Sequence, residues 1–114
     1  MVSPPVQATA TPQNKFVHIS VDQINKQIRV DEEHLRLNVN NGDTGTWVGI
    51  GDLSFEIEFG KGHSPFHDDK NNYKHYEAKD LKPKPHSNNP SRPYKYVVRV
   101  DGYPPLDPDV IIEP

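Results

Sequence analysis

Between residues 60 and 80 the chain gathers its densest set of potential metal ligands: His63, His67, Asp68, Asp69 and His75. Imidazole and carboxylate groups bind zinc, copper and nickel. His63 and His67 stand four residues apart, a spacing that puts both rings on one face of a helix. Pro65 and the flanking Gly60 and Gly62 argue against a helix here, so the ligands would have to close from a loop. The candidate metal set is His63, His67, Asp68 and His75, and the ion would be Cu or Zn. The plainer reading is a solvated polar loop with incidental histidines and no cofactor. It outweighs the metal site, because ligand spacing without a scaffold is a weak signal.

Two other groups invite chemistry. Glu56 and Glu58 share one face of a strand, about 7 Å apart at the base, and paired carboxylates can do acid–base work. No pocket former accompanies them, so a wet strand face explains them better. Lys79, Lys82, Lys84, Arg92 and Lys95, interleaved with Tyr73, Tyr76 and Tyr94, make a basic, aromatic-bearing stretch. Such a surface could meet an acidic partner or a nucleic-acid strand, though a solubilising loop is the more ordinary account. There is no glycine-rich loop leading into a helix to cradle phosphate, and no strained turn around a serine nucleophile. The residues do not assemble a catalytic set, and the expectation is that the protein is not an enzyme.

Composition narrows the field further. The chain has 114 residues and no cysteine. That is one domain's length, large enough for a modest core without staples. Disulfides, thiolate nucleophiles and zinc–thiolate sites are excluded, but the compartment is not indicated. The net charge is −3, which argues against a dedicated nucleic-acid binder. The charge is uneven: residues 61–95 hold eight Lys/Arg and four Asp/Glu, a local +4 that leaves −7 elsewhere. No apolar run approaches the eighteen or so residues of a membrane span. The segment Met1–Pro12 has neither a basic start nor an apolar stretch and does not read as a signal peptide. Twelve prolines imply many turns and few helices.

The elements that must position these residues read as strands. Leu53-Ser-Phe-Glu-Ile-Glu-Phe59 alternates without a fault, with Leu53, Phe55, Ile57 and Phe59 on one face. Phe16–Val21 also alternates, but Phe16 joins His18 and Ser20 opposite Val17, Ile19 and Val21, which places the strand between layers or at a sheet switch. Asp22-Gln23 turns the chain into Ile24–Val30. After Asp31-Glu32-Glu33, Leu35, Leu37 and Val39 follow a two-residue period. Asn40-Asn41-Gly42-Asp43 is the strongest turn signal, because Asn-Gly supplies the positive φ of a tight hairpin. Thr46–Ile50 is anchored by Trp47. Tyr94, Tyr96, Val98 and Val100 point inward, and Val110-Ile111-Ile112, three apolar residues in a row, reads as a central or covered strand. Residues 1–14 read as a flexible tail, and residues 15–114 as a single domain. Within it, residues 60–93 form a long polar insertion without a clear core pattern, shortened by an edge strand at Tyr73–Ala78.

The order of motifs resembles the cupredoxin-like β-sandwich over residues 16–114: Thr46-Trp47-Val48, the Phe-x-Ile-x-Phe strand 55–59, Tyr-x-Tyr-x-Val at 94–98, and Val110-Ile111-Ile112. Immunoglobulin-like sandwiches give similar patterns. In copper-bearing cupredoxins a His ligand falls near the start of the strand after the Trp strand, where this chain has Leu53, Ser54 and Phe55. Their Cys, His and Met ligands follow the Tyr-x-Tyr strand, where this chain has Val98, Arg99, Val100 and Asp101. No His follows His86, and the only Met is Met1. A blue-copper site needs the thiolate, so the resemblance implies the fold and not the electron transfer.

The resulting expectation is an all-β sandwich of about seven strands with Greek-key connections. It would serve as a non-catalytic binding or accessory module for an unknown protein or small ligand, working through the 60–93 loop. The alternative is a metal-binding cupredoxin-like protein that uses the loop histidines.

Overall fold

Strict two-residue alternation predicts strands with one buried face, and the computed structural model, which describes residues 11–60, 63–84 and 93–113, contains them. In chain order they are β1 (Asn14–Asp22), β2 (Gln27–Val30), β3 (His34–Asn38), β4 (Thr44–Gly49), β5 (Glu56–Phe59), β6 (Asn72–Lys74), β7 (Pro93–Arg99) and β8 (Asp109–Glu113). They form a three-stranded sheet, β2-β1-β4, and a five-stranded sheet, β3-β8-β7-β5-β6. The fold is the expected all-β sandwich. Most neighbours pair antiparallel, but β1 with β4 and β3 with β8 are parallel. The triple apolar run of β8 has its reason here, since β8 lies inside its sheet between β3 and β7. The first ten residues of the expected tail lie outside the described residues. Gln13 and Asn14, by contrast, are tied to the fold: the Thr44 amide donates to the Gln13 carbonyl, and Asn14 opens β1.

Three local expectations need correction. β1 is not between layers. It is the middle strand of the smaller sheet, whose outer face is uncovered, so Val17 and Ile19 are buried while Phe16 is 46% exposed. Ile24 is not on a strand but at the hairpin tip, 92% exposed. The Asp22 carboxylate accepts the amides of Ile24 and Asn25, the side-chain NH₂ of Asn25 and the Arg29 guanidinium. Lys26 closes the tip with φ +57°. Finally, Asn41-Gly42 turns the chain, with Gly42 at φ +79°, but it joins no hairpin. β3 and β4 belong to different sheets, and the turn is an arch between them. The buried Asp43 carboxylate holds that arch by accepting the amides of Gln13 and Asn38, with the Lys15 ammonium 3.6 Å away.

Between the sheets lies an aromatic cluster of Trp47, Phe59, Phe66, Tyr73 and Tyr96, all buried. Trp47 meets Phe66 and Tyr96 edge-on at 5.9 and 5.6 Å, and Phe59 meets Phe66 edge-on at 5.6 Å, the arrangement that ring quadrupoles favour. The Trp47 indole N–H on β4 donates to the Tyr96 hydroxyl on β7 at 3.0 Å. Burial pushes that hydroxyl above its ordinary ionisation range, so it stays neutral.

The 60–93 stretch is more than a polar insertion. Phe66 is fully buried, and Tyr73, Ala78 and Leu81 join the core beside it. The expected edge strand is present as β6, displaced to Asn72–Lys74 at the margin of the larger sheet. Further on, Leu81 and Gly45 exchange both backbone hydrogen bonds, and the Trp47 amide donates to Ala78 O. The stretch therefore covers the second edge of β4. No periodicity marks it because its core residues come singly, Tyr73 from the short β6 and Phe66 and Leu81 from isolated bridges.

Two outcomes follow for stability. Tyr96→Phe should cost about 1–3 kcal/mol in a urea melt, because the Trp47 N–H stays buried without its acceptor. The same change should cost less in a Trp47→Phe background. Equal costs in both backgrounds would show that the bond does not couple the sheets. Phe66→Ala should cost about 3–5 kcal/mol, as a core phenylalanine does. The Leu81 amide should resist native-state hydrogen exchange as strongly as that of Ile57. Rapid exchange at Leu81 would make the stretch a loose strap.

Candidate functional site

Of the four proposed ligands, His67 and Asp68 are neighbours on one turn, while His63 and His75 lie elsewhere, and the set does not gather into a cluster among the described residues. The His63 amide closes a turn onto Gly60 O, and its exposed ring lines a groove with Glu58, Tyr94 and Lys95. His67 is fixed through its backbone, donating to Lys82 O at 2.9 Å. The Asp68 carboxylate accepts the Tyr73 hydroxyl at 2.5 Å and the Lys70 amide at 3.1 Å. That bond and burial raise the ionisation range of Tyr73, with burial the larger effect. Asp69 pairs with Lys84 at 2.6 Å. His75 lies against the rings of Phe55 and Tyr76, with centroids at 6.0 and 5.2 Å. Among the described residues, no three His, Asp or Glu side chains gather closely enough to hold a metal ion.

The carboxylate pair is explained by cross-strand charge. Glu58 pairs with Arg99 at 3.1 Å, and Glu56 takes Lys74 at 3.7 Å and the Asn72 side chain. Arg36–Glu113 continues the pattern across β3 and β8, where the His34 ring also hydrogen-bonds the buried Asp109 carboxylate at 2.9 Å. The outer face of the larger sheet is thus a ladder of opposite charges, each exposed pair contributing little by itself. In the basic stretch, Lys84 and Lys95 also have carboxylates nearby, Tyr73 is core, and Arg92 lies outside the described residues.

What remains is Tyr76, 65% exposed. It sits on a stiff turn. The Glu77 and Ala78 amides both donate to Lys74 O, and the Glu77 carboxylate accepts the Lys74 amide at 2.9 Å. That amide, followed by the Lys70 ammonium, lowers the Glu77 carboxyl below its usual range. Beside the turn runs an open groove of about 530 Å³, lined by Val48, Gly49, Leu53, Phe55, His75, Tyr76 and Lys79. Gly49 lets the groove close at its base: a Cβ there would lie 2.4 Å from Leu53 O. Tyr76 and Lys79 stood in the sequence within the basic, aromatic stretch. Their place beside β4 depends on the Trp47–Ala78 backbone bond, which no pattern announces.

The shifted carboxylates have structural causes. Asp22, held at about 2 mainly by the Asn25 amide and side chain and by Arg29, caps its hairpin. Burial, the largest single cause, pushes the Asp31 carboxyl up, but the His18 amide and ring together outweigh it and leave the group lowered. No family model matches the chain, and no curated protein or solved structure matches it.

The Asp22 shift fixes a pH dependence. A carboxyl whose folded pKa lies below its ordinary 3.8 stabilises the fold above that value and loses the contribution as pH falls towards about 2. The urea midpoint of the wild type should therefore exceed that of Asp22→Asn at pH 6. The gap should shrink between pH 4 and pH 2, about the two limiting values. A gap independent of pH over that window would remove the carboxylate from the account.

Proposed function

We propose that this domain is a non-catalytic binding or accessory module built on a cupredoxin-like Greek key. Its working surface lies on the 60–93 stretch, at the Lys74–Lys79 turn beside β4. The observation that carries the reading is Tyr76, a large aromatic side chain held in solvent on a hydrogen-bonded turn next to a groove. A rigid exposed ring provides contact area at little entropic cost. Lys79 stands at the same groove, and among the described residues no carboxylate pairs with its ammonium. The chemistry that fits is an apolar, planar group against Tyr76 with an anionic group reaching Lys79. The parallel pairs β1–β4 and β3–β8 favour the cupredoxin-like resemblance over the immunoglobulin-like one, whose sheets are antiparallel.

A titration with phenylacetate and N-acetylphenylalanine, followed by amide chemical shifts, tests this surface. Changes should concentrate at Val48, Leu53, His75, Tyr76 and Lys79. Tyr76→Ala and Lys79→Ala should each weaken binding roughly five- to tenfold and leave the urea midpoint unchanged. Shifts scattered over the whole surface, or none in the groove, would rule out the proposal.

A further inference from the structure

The two sheets differ in width. Five strands face three, and on the β4 side the Ala78–Leu81 segment makes up part of the difference. On the β2 side no segment among the described residues hydrogen-bonds to the edge. Hydrogen bonding alternates along β1: the Asp31 amide donates to His18 O on the β2 side, and the Ile50 amide donates to Ile19 O on the β4 side. Ile19 faces Val30 and Val21 faces Ile28 in the β1–β2 register. Gln27 and Arg29 therefore turn their backbone groups to β1, and Ile28 and Val30 turn theirs outward. Neither outward pair has a hydrogen-bond partner among the described residues. These groups are not on a flat open edge: Ile28, 4% exposed, and Val30 are among the residues lining a groove of about 550 Å³ whose other wall is Pro104, Pro105 and Leu106. Val30 and Leu106 are half-buried and belong to the margin of the core.

We infer that this groove takes an extended segment of a partner protein, which adds to β2 as a fourth strand of the smaller sheet. The free N–H and C=O groups of Ile28 and Val30 specify a backbone, since main-chain bonds are what strand addition uses. The apolar margin asks for apolar side chains at alternate positions. The ends of the groove carry opposite charges, Lys26 and Glu33. Lys26 lies over the Tyr103 ring at 5.8 Å, and no carboxylate pairs with it among the described residues. An antiparallel segment with a base at its start and an acid at its end matches both. This site is on the opposite flank from the Tyr76 groove, so each stands or falls without the other.

The probe is the synthetic peptide acetyl-Lys-Val-Thr-Val-Thr-Val-Glu-amide. Residues directly opposite one another in an antiparallel pair point to the same face. The inward valines are then the ones that exchange hydrogen bonds with Ile28 and Val30. N-methylation of the valine amides should weaken binding at least tenfold, whereas N-methylation of the threonine amides should leave it unchanged. Exchange of the Ile28 and Val30 amides should slow at least tenfold when the parent peptide is bound. Lys26→Glu should weaken the parent peptide and leave the fold intact. Equal binding of the two methylated peptides would overturn the inference, as would no binding up to about 1 mM. Protection of the Ile28 and Val30 amides that rises with protein concentration in the absence of peptide would overturn it too, because a second copy would then own the edge.

Discussion

An indole N–H buried between two sheets must find an acceptor, and in this protein the acceptor comes from the facing sheet. Trp47 is carried by β4 and Tyr96 by β7, and their 3.0 Å hydrogen bond fixes the distance and rotation between the layers. The rest of the core is arranged around that constraint. Phe59 and Phe66 close on the pair from the side, and Tyr73 reaches past Phe66 to give its hydroxyl to Asp68. Each polar atom brought into the cluster arrives with its partner. Among the described residues, no buried side-chain nitrogen or oxygen lacks one, as the cost of an orphaned polar group requires.

The same economy explains the strand edges. β4 has β1 on one side, and on the other it would expose backbone donors and acceptors next to a Trp. The Ala78–Leu81 segment satisfies them, and in doing so brings the Glu77-capped turn and Tyr76 to the surface beside β4. The proposed working surface is thus a by-product of covering an edge. Among the described residues β2 has no such cover, and Ile28 and Val30 line a groove instead.

Charges do different work. On the outer face of the larger sheet they pair across strands and keep that face in water. At turns they act on the backbone. Asp22 gathers the hairpin amides, Asp43 ties the β3–β4 arch to the start of β1, and Glu77 closes the Tyr76 turn. Of these, Asp43 sits in a tetrapeptide, Asn-Asn-Gly-Asp, that locally spells a hairpin. Its carboxylate is what makes the turn an arch, by binding two segments distant in sequence. For that reason the turn was legible and its destination was not.

The sequence by itself determined the strands. Alternation in Leu53–Phe59 and Tyr94–Val100 has a period of two, which only a half-buried strand uses. The run at Val110–Ile112 read only as a central or covered strand, and the sheet order made it central. The missing thiolate also determined that no blue-copper site could be present. The tertiary structure alone decided which strands are neighbours, because parallel pairs such as β1–β4 join segments whose register leaves no local trace. It alone decided the fate of residues 64–83, where Phe66, Tyr73, Ala78 and Leu81 enter the core one at a time, Tyr73 from β6 and Phe66 and Leu81 from isolated bridges. A residue buried singly has no periodic neighbour to announce it. Likewise, the placing of His63 and His67 followed from their backbone bonds to Gly60 and Lys82, which ligand spacing along the chain does not encode.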